Sequence, residues 1–384
     1  MSLNQLLQPE LQRQTYETLC LLFKKHENDV LAIEILPFAI DDQHILKDEN
    51  CVGVTKAMLA SAFVTARQVF FKNASARIPS SASNIALDAT KIILLFDPEH
   101  LTATNYRKRV LKSLQQELKI QHEDPAEEGH RSAGHAALAT AIRLEMTFLN
   151  SILTSHLHRQ TKSPTLWYHR LWVVKTFVLQ QYNRSSHRQQ RLADPCHLWK
   201  SLFFPEYAAI TNAGERHPMN YYAWNYAREL LRCTDETFND STSERKCRNV
   251  ECAKMVCEWC MRYLRDTSGW MFLHYLILNY NHDLSSETPR MVQRIHGLLY
   301  DIQCGYASLW SFVRNVYGPR YTSAGLWKRE SFYVTLREAT KGEQKENEPQ
   351  WIPVARSSLA WLDKYGDPVT LDSSDEQPGD CCKD

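Results

Sequence analysis

Asn220-Tyr221-Tyr222-Ala223-Trp224-Asn225-Tyr226-Ala227-Arg228 decides the fold, because the chain repeats its pattern. Leu166-Trp167-Tyr168-His169-Arg170 stands upstream; Gly269-Trp270-Met271-Phe272-Leu273-His274 and Leu309-Trp310-Ser311-Phe312-Val313-Arg314 stand downstream. A basic or His residue follows each Trp by three or four positions: Arg170, Arg228, His274 and Arg314. An apolar or aromatic residue follows by seven: Val174, Leu231, Ile277 and Tyr317. On a helix these offsets fall on one face. The tryptophans are 57, 46 and 40 residues apart. A helical face returning at such intervals predicts an all-α fold, an α-α superhelix built as a right-handed solenoid of helical hairpins.

Composition agrees. Twelve glycines in 384 residues suit long helices with few tight turns. Forty-five basic against 44 acidic residues leave a net charge of +1, which argues against a nucleic-acid surface as the main role. Met1-Ser2-Leu3-Asn4-Gln5 lacks the basic and apolar regions of a secretory signal, and no run approaches the roughly 18 apolar residues of a membrane span. The expectation is a soluble, cytoplasmic protein.

Of the 11 cysteines, Cys247, Cys252, Cys257 and Cys260 crowd one segment. Structural zinc sites pair two knuckles across a turn. Here the spacings are five, five and three inside a helical stretch, so the cluster reads as buried or half-buried thiols and no metal is assigned to this chain.

Along the chain, residues 1–75 read as a helical lead-in, 76–365 as the repeat solenoid and 366–384 as a disordered acidic tail. Ser80-Ser81-Ala82-Ser83 reads as a helix cap, and the basic stretch Asn183 to Pro195 as an insertion that lengthens one interval. A packed hairpin suits a Trp with an Arg one turn later. The indole fills the gap between neighbours, and the guanidinium lies along it or reaches the carbonyls that end the previous helix. Trp167, Arg170, Trp224, Arg228, Trp270, His274, Trp310 and Arg314 are therefore structural repeat positions. His169 and His274 read as core or interface histidines.

Asn220 to Arg228 and Ser163-Pro164-Thr165-Leu166-Trp167-Tyr168-His169-Arg170-Leu171-Trp172-Val173 resemble the repeats of protein prenyltransferase alpha subunits, whose phrase is Asn-Tyr-x-x-Trp-x-x-Arg-Arg-x-x-Leu. Asp97-Pro98 before Asn105-Tyr106-Arg107-Lys108 resembles the first repeat, with Thr104 in the Trp position. Ile33-Glu34-Ile35-Leu36-Pro37 and Asp48-Glu49-Asn50-Cys51-Val52-Gly53-Val54 are similar to the lead-in of the repeat-containing branch of that family. The resemblance covers roughly residues 28 to 318.

It implies a crescent of hairpins wrapped around a separate beta subunit, in a heterodimer that transfers a farnesyl or geranylgeranyl group, with geranylgeranyl expected, from isoprenoid diphosphate to a cysteine-bearing protein acceptor. The zinc would sit in the partner beta subunit, with no cofactor in this chain. The family's lysine before Asn-Tyr, which steadies the departing diphosphate, is Met219 here. The equivalent place one repeat earlier holds Lys162, the catalytic candidate, and Asn220 and Tyr221 match the substrate-binding positions. The competing reading is a non-catalytic interaction scaffold that keeps the architecture alone. Cys381-Cys382 near the carboxyl terminus resembles a lipidated end, although Lys383 and Asp384 are poor company for it.

Overall fold

A computed structural model describes residues 9–41, 43–74, 85–121, 128–180, 195–238, 241–318, 329–341 and 348–365. The chain forms two compact units, Met1–Ser241 and Thr242–Asp384, and among the described residues the fold is all-α but for one small sheet.

The first unit begins with α1 (Pro9–Lys25), then β1 (Ala32–Leu36), β2 (Ile45–Asp48) and β3 (Cys51–Thr55). β3 is central, parallel to β1 and antiparallel to β2, with Ile33 opposite Val52 and Ile45 opposite Val54. The reading of residues 1–75 as a helical lead-in contains no sheet, and the structure adds one. Ala32-Ile33-Glu34-Ile35-Leu36 and Cys51-Val52-Gly53-Val54 are rich in β-branched residues, which pack well on a pleated surface. Leu31, Ile33, Val52 and Val54 are buried. Gly53 makes room for Leu36: a Cβ there would stand 3.0 Å from Leu36 Cδ1.

Thr55 ends β3 and caps α2 (Lys56–Asn73), accepting from the Met58 N–H at 3.4 Å. Nor is the lead-in a domain apart. The Leu31 N–H donates to Ser151 Oγ at 2.9 Å, and Phe23 meets Phe148 edge to face at 6.0 Å.

The hairpin helices follow: α3 (Ile85–Phe96), α4 (Leu101–Gln121), α5 (Glu128–Leu153), the single turn α6 (His158–Thr161), α7 (Pro164–Val173), α8 (Pro195–Arg216) and α9 (Tyr221–Thr237). α7 runs on through a π-helical turn, Val174–Val178. Leu111 and Leu118 of α4, Leu138 and Ile142 of α5, and Val173 and Phe177 make one buried apolar cluster.

One expectation about membranes changes. Among the described residues the stretch Ala133–Leu153 of α5 is long and apolar enough to cross a bilayer by length and composition. It carries Glu145 in a buried ion pair and packs against α4 and α7, as a core helix does.

The second unit holds α10 (Thr242–Arg262), α11 (Thr267–Asn279), the single turn α12 (Asn281–Leu284), α13 (Thr288–Asp301), α14 (Ala307–Tyr317), α15 (Arg329–Ala339) and α16 (Trp351–Tyr365). α10 packs on α11, α11 on α14 and α14 on α16. The Ser80–Ser83 cap, most of the basic insertion, the acidic tail and Cys381-Cys382 lie outside the described residues.

Candidate functional site: the repeat junctions and the Lys162 corner

All four tryptophans occupy the same place in their helices. The N-cap residue stands four positions before each: Ser163, Asn220, Asp266 and Tyr306. Its carbonyl accepts from the Trp backbone N–H at 3.2, 3.3, 3.2 and 3.3 Å in chain order. Ser163 Oγ, Asn220 Oδ1 and Asp266 Oδ1 each accept from the N–H three residues on, satisfying donors that a helix start leaves over.

The indoles then fold back. Trp167 Nε1 donates to the Thr161 carbonyl at 2.8 Å, Trp270 Nε1 to Leu264 at 3.1 Å and Trp310 Nε1 to Cys304 at 2.7 Å. The acceptor is six residues earlier every time. These Trp side chains are at most 3% exposed, as is Trp224. The positions seven residues on, Val174, Leu231, Ile277 and Tyr317, are buried too.

The same carbonyls receive the next repeat. Thr161 O also accepts from Asn220 Nδ2 at 3.0 Å, and Leu264 O from the Ser308 hydroxyl. Pro98 O, at the matching place in the first repeat, accepts from Ser163 Oγ at 3.3 Å. Tilted ring pairs reinforce the register: Trp167 lies 5.2 Å from Tyr226, and Trp270 5.0 Å from Phe312.

Arg170 does not lie along its Trp or reach helix-end carbonyls, as the sequence reading expected. It donates from Nε and Nη2 to Glu206 at 2.6 and 3.0 Å, and from Nη1 to Asn150 Oδ1 at 2.8 Å. The Tyr226 hydroxyl donates to the same carboxylate. One repeat earlier the arrangement recurs. Arg107 donates from Nε and Nη2 to Glu145 at 2.8 and 2.6 Å, and His169 Nε2 meets Glu145 Oε1 at 2.7 Å. Arg107 Nη1 donates to Thr90 Oγ1, and the guanidinium covers the Phe148 ring at 4.2 Å. So an arginine three places after one Trp position grips a glutamate of the next hairpin. The residue two places after the next Trp grips it as well.

Burial by itself would raise the Glu145 pKa, but the Arg107 guanidinium and the His169 hydrogen bond outweigh it and hold the carboxyl below its usual range. Burial also lowers His169, against the pull of Glu145, so the imidazole is neutral at pH 7 with its proton on Nε2. Its Nδ1 is buried with no hydrogen-bond partner among the described residues. Burial and the adjacent Glu206 push Tyr226 well above its ordinary value, which keeps the phenol a donor. These are fully enclosed polar groups in repeat cores.

The later phrases depart from that scheme. Arg228, His274 and Arg314 are half-buried. Arg314 donates to Ser311 Oγ at 3.0 Å and lies 5.8 Å from the Trp361 ring.

The sequence candidates Lys162, Met219, Asn220 and Tyr221 do come together, at the junction before α7 and α9. Lys162 closes α6 and donates from Nζ to the Pro218 carbonyl at 2.9 Å. Pro218 is the position six before Trp224, so this lysine takes a carbonyl of the class that the other indoles use. Met219 is 58% exposed with φ of 59°, in the left-handed region that a side chain adopts at a penalty. Tyr221 is 59% exposed beside the half-exposed Tyr222, their rings 5.7 Å apart. Asn220 is fully buried, and both ends of its amide serve backbone groups, which makes it a hairpin clamp in place of a substrate ligand.

Two histidines adjoin the corner. His158 and His217 meet edge to face at 5.3 Å. Burial lowers the His217 pKa, as do the charges of His158, Lys162 and His156, against a backbone hydrogen bond at Ser155. A fixed cation beside exposed aromatic and thioether surface can hold an anionic or aromatic group. No carboxylate or thiol is placed with Lys162 to act as its acid–base partner among the hydrogen bonds and ion pairs described.

Residues 166–298 match a family model described as the ECM9 middle domain. The matched stretch opens at the Trp167 phrase and takes in those of Trp224 and Trp270. Its description names a domain, with no chemistry attached, and it stops short of the Trp310 phrase. No curated protein matches the chain.

The cysteines of α10 divide between core and surface. Cys252, Cys257 and Cys260 are buried while Cys247 is exposed, and burial pushes the Cys257 thiol up to about 12 and Cys260 well above its ordinary value. Both shifts keep these thiols protonated. Among the described residues no three His, Cys, Asp or Glu side chains converge as a metal site requires.

Proposed function

We propose that this chain is a helical-repeat scaffold of the prenyltransferase alpha-subunit type, which clasps a partner polypeptide and performs no isoprenoid transfer of its own. One observation carries the reading. At the place where the family carries its diphosphate-steadying lysine stands Met219, exposed and electrostatically inert, while the Asn beside it is closed into a backbone clamp. The exposed Met219, Tyr221 and Tyr222 fit the partner surface of such a scaffold, since interfaces are enriched in Tyr and Met.

Lys162 favours a second reading, an active alpha subunit bound to a zinc-bearing prenyltransferase beta subunit. Its ammonium, held by the Pro218 carbonyl, would face the departing diphosphate as a cysteine thiolate attacks C1 of the isoprenoid. The thioether forms while the C–O bond to diphosphate breaks.

Purification of the tagged chain with whatever polypeptide it retains, followed by incubation with labelled geranylgeranyl diphosphate and cysteine-ending acceptors, separates the two. Stable retention of a partner without label transfer supports the scaffold. Transfer that drops on Lys162→Ala, with the complex intact, supports the enzyme. A chain that retains no partner refutes both.

A further inference from the structure

The first unit carries a cleft of about 530 Å³ between α1, α3, α4 and α5, apart from the Lys162 corner. That volume is within the roughly 300–1,000 Å³ of small-molecule sites. It exists because α5 presents small side chains, Ala136, Ala137, Thr140 and Ala141, toward the space that Val110 and Leu114 of α4 border. Phe23, Leu31 and Phe148 are buried at its inner end.

Charge is not balanced along its lining. Four carboxylates, Glu27, Asp29, Asp88 and Glu145, face two cations, Lys91 and Arg107. Arg107 is closed onto Glu145, and Lys91 pairs with Asp88 at 3.2 Å. Glu27 and Asp29 stand at the exposed edge. His26 Nδ1 lies 3.2 Å from Asp29 Oδ2. A carboxylate only accepts, so Nδ1 carries a proton and donates to Asp29. The other ring nitrogen, Nε2, is buried and has no hydrogen-bond partner among the described residues. Apolar walls and surplus carboxylate at the rim ask for one kind of molecule.

We propose that this cleft binds an amphiphilic primary amine, with its hydrocarbon body in the apolar trough and its ammonium group at the His26, Glu27 and Asp29 edge. The inference is independent of whether the chain clasps a partner.

Calorimetric titration of the full chain with dodecylamine, kept below its micellar limit, tests it, with dodecyl sulfate as the charge-reversed probe. The expected result is saturable one-to-one binding of the amine and markedly weaker binding of the sulfate. Ala137→Trp, at an exposed wall position, should abolish binding. Glu27→Gln, at an exposed edge position, should weaken it about fivefold at low salt. Glu27→Gln decides the matter alone if the tryptophan variant fails to fold. Absent saturation by the amine, equal affinity for the sulfate, or unchanged affinity in the Glu27→Gln protein would overturn the proposal.

Discussion

The side-chain amide of Asn220 donates to the carbonyl oxygen of Thr161, 59 residues earlier, at 3.0 Å. The same side chain caps α9 through Oδ1, so one residue starts a helix and fastens it to the preceding repeat.

Replacing Asn220 with Ala removes both bonds and leaves a helix start uncapped. The expected loss is about 1–3 kcal/mol for the buried group, with a cap contributing about 1 of that. Asn220→Ser keeps a capping oxygen and loses the amide donor without adding charge, so its stability in urea titration should fall between wild type and Ala. A result equal to wild type for Ala would remove the clamp from the account.

Breaking the Arg170–Glu206 pair on one side should be far worse than removing it altogether. Arg170→Met strands a buried carboxylate, at a cost of about 3–5 kcal/mol, whereas Arg170→Met with Glu206→Leu leaves no orphaned charge and should recover much of the loss. A double-mutant cycle by chemical denaturation reads the coupling directly. Additive effects would contradict it.

Acid should loosen the first unit through His169. Its folded pKa lies below the unfolded value of about 6.5, so the unfolded chain binds the extra proton. The stabilisation from the neutral ring is complete above that pH and is lost as pH falls from there toward the folded value, by at most about 1.4 kcal/mol per pH unit. His169→Gln keeps an amide donor for Glu145 and cannot titrate, so its unfolding free energy should be flatter with pH between about 6.5 and 5. Parallel profiles for the two proteins would assign the acid sensitivity elsewhere. Glu145, held low by Arg107, adds its own loss only at more acidic pH, as its carboxyl protonates.

Met219 sits at φ of 59° and is more than half exposed. Met219→Lys should therefore fold as well as wild type, and Met219→Gly should be more stable by about 1 kcal/mol, since glycine takes the left-handed region without a Cβ penalty. Thermal unfolding of the two variants checks this. A destabilised glycine variant would mean that the Met219 side chain carries contacts worth more than the backbone relief.

Much of the scaffold is legible in the residues themselves. Trp167, Trp224, Trp270 and Trp310, with capping residues four places before three of them, announce helix starts on their own. The long-range partners do not. Glu145 and Glu206 look like ordinary helical glutamates, and only the three-dimensional stack brings them to arginines 38 and 36 residues away. Their surroundings hold a faint clue, Leu144-Glu145-Met146 and Phe203-Phe204-Pro205-Glu206-Tyr207, because a lone carboxylate in apolar company needs a buried cation. The sheet escaped for another reason. Its three strands are four or five residues long, too short to compete with the helical periodicity on both sides. The cleft was hidden because an empty space is defined by what four separate helices fail to fill.

The π-helical turn at Val174–Val178 has a consequence for chain length. A turn of this kind holds one residue beyond what an α-turn holds, and each residue advances the helix by about 100°. Leu179, just after it, is buried. Removing one residue here would turn the segment into an ordinary α-turn and leave Leu179 facing inward, so a single-codon deletion should be milder at this place than elsewhere in the helix.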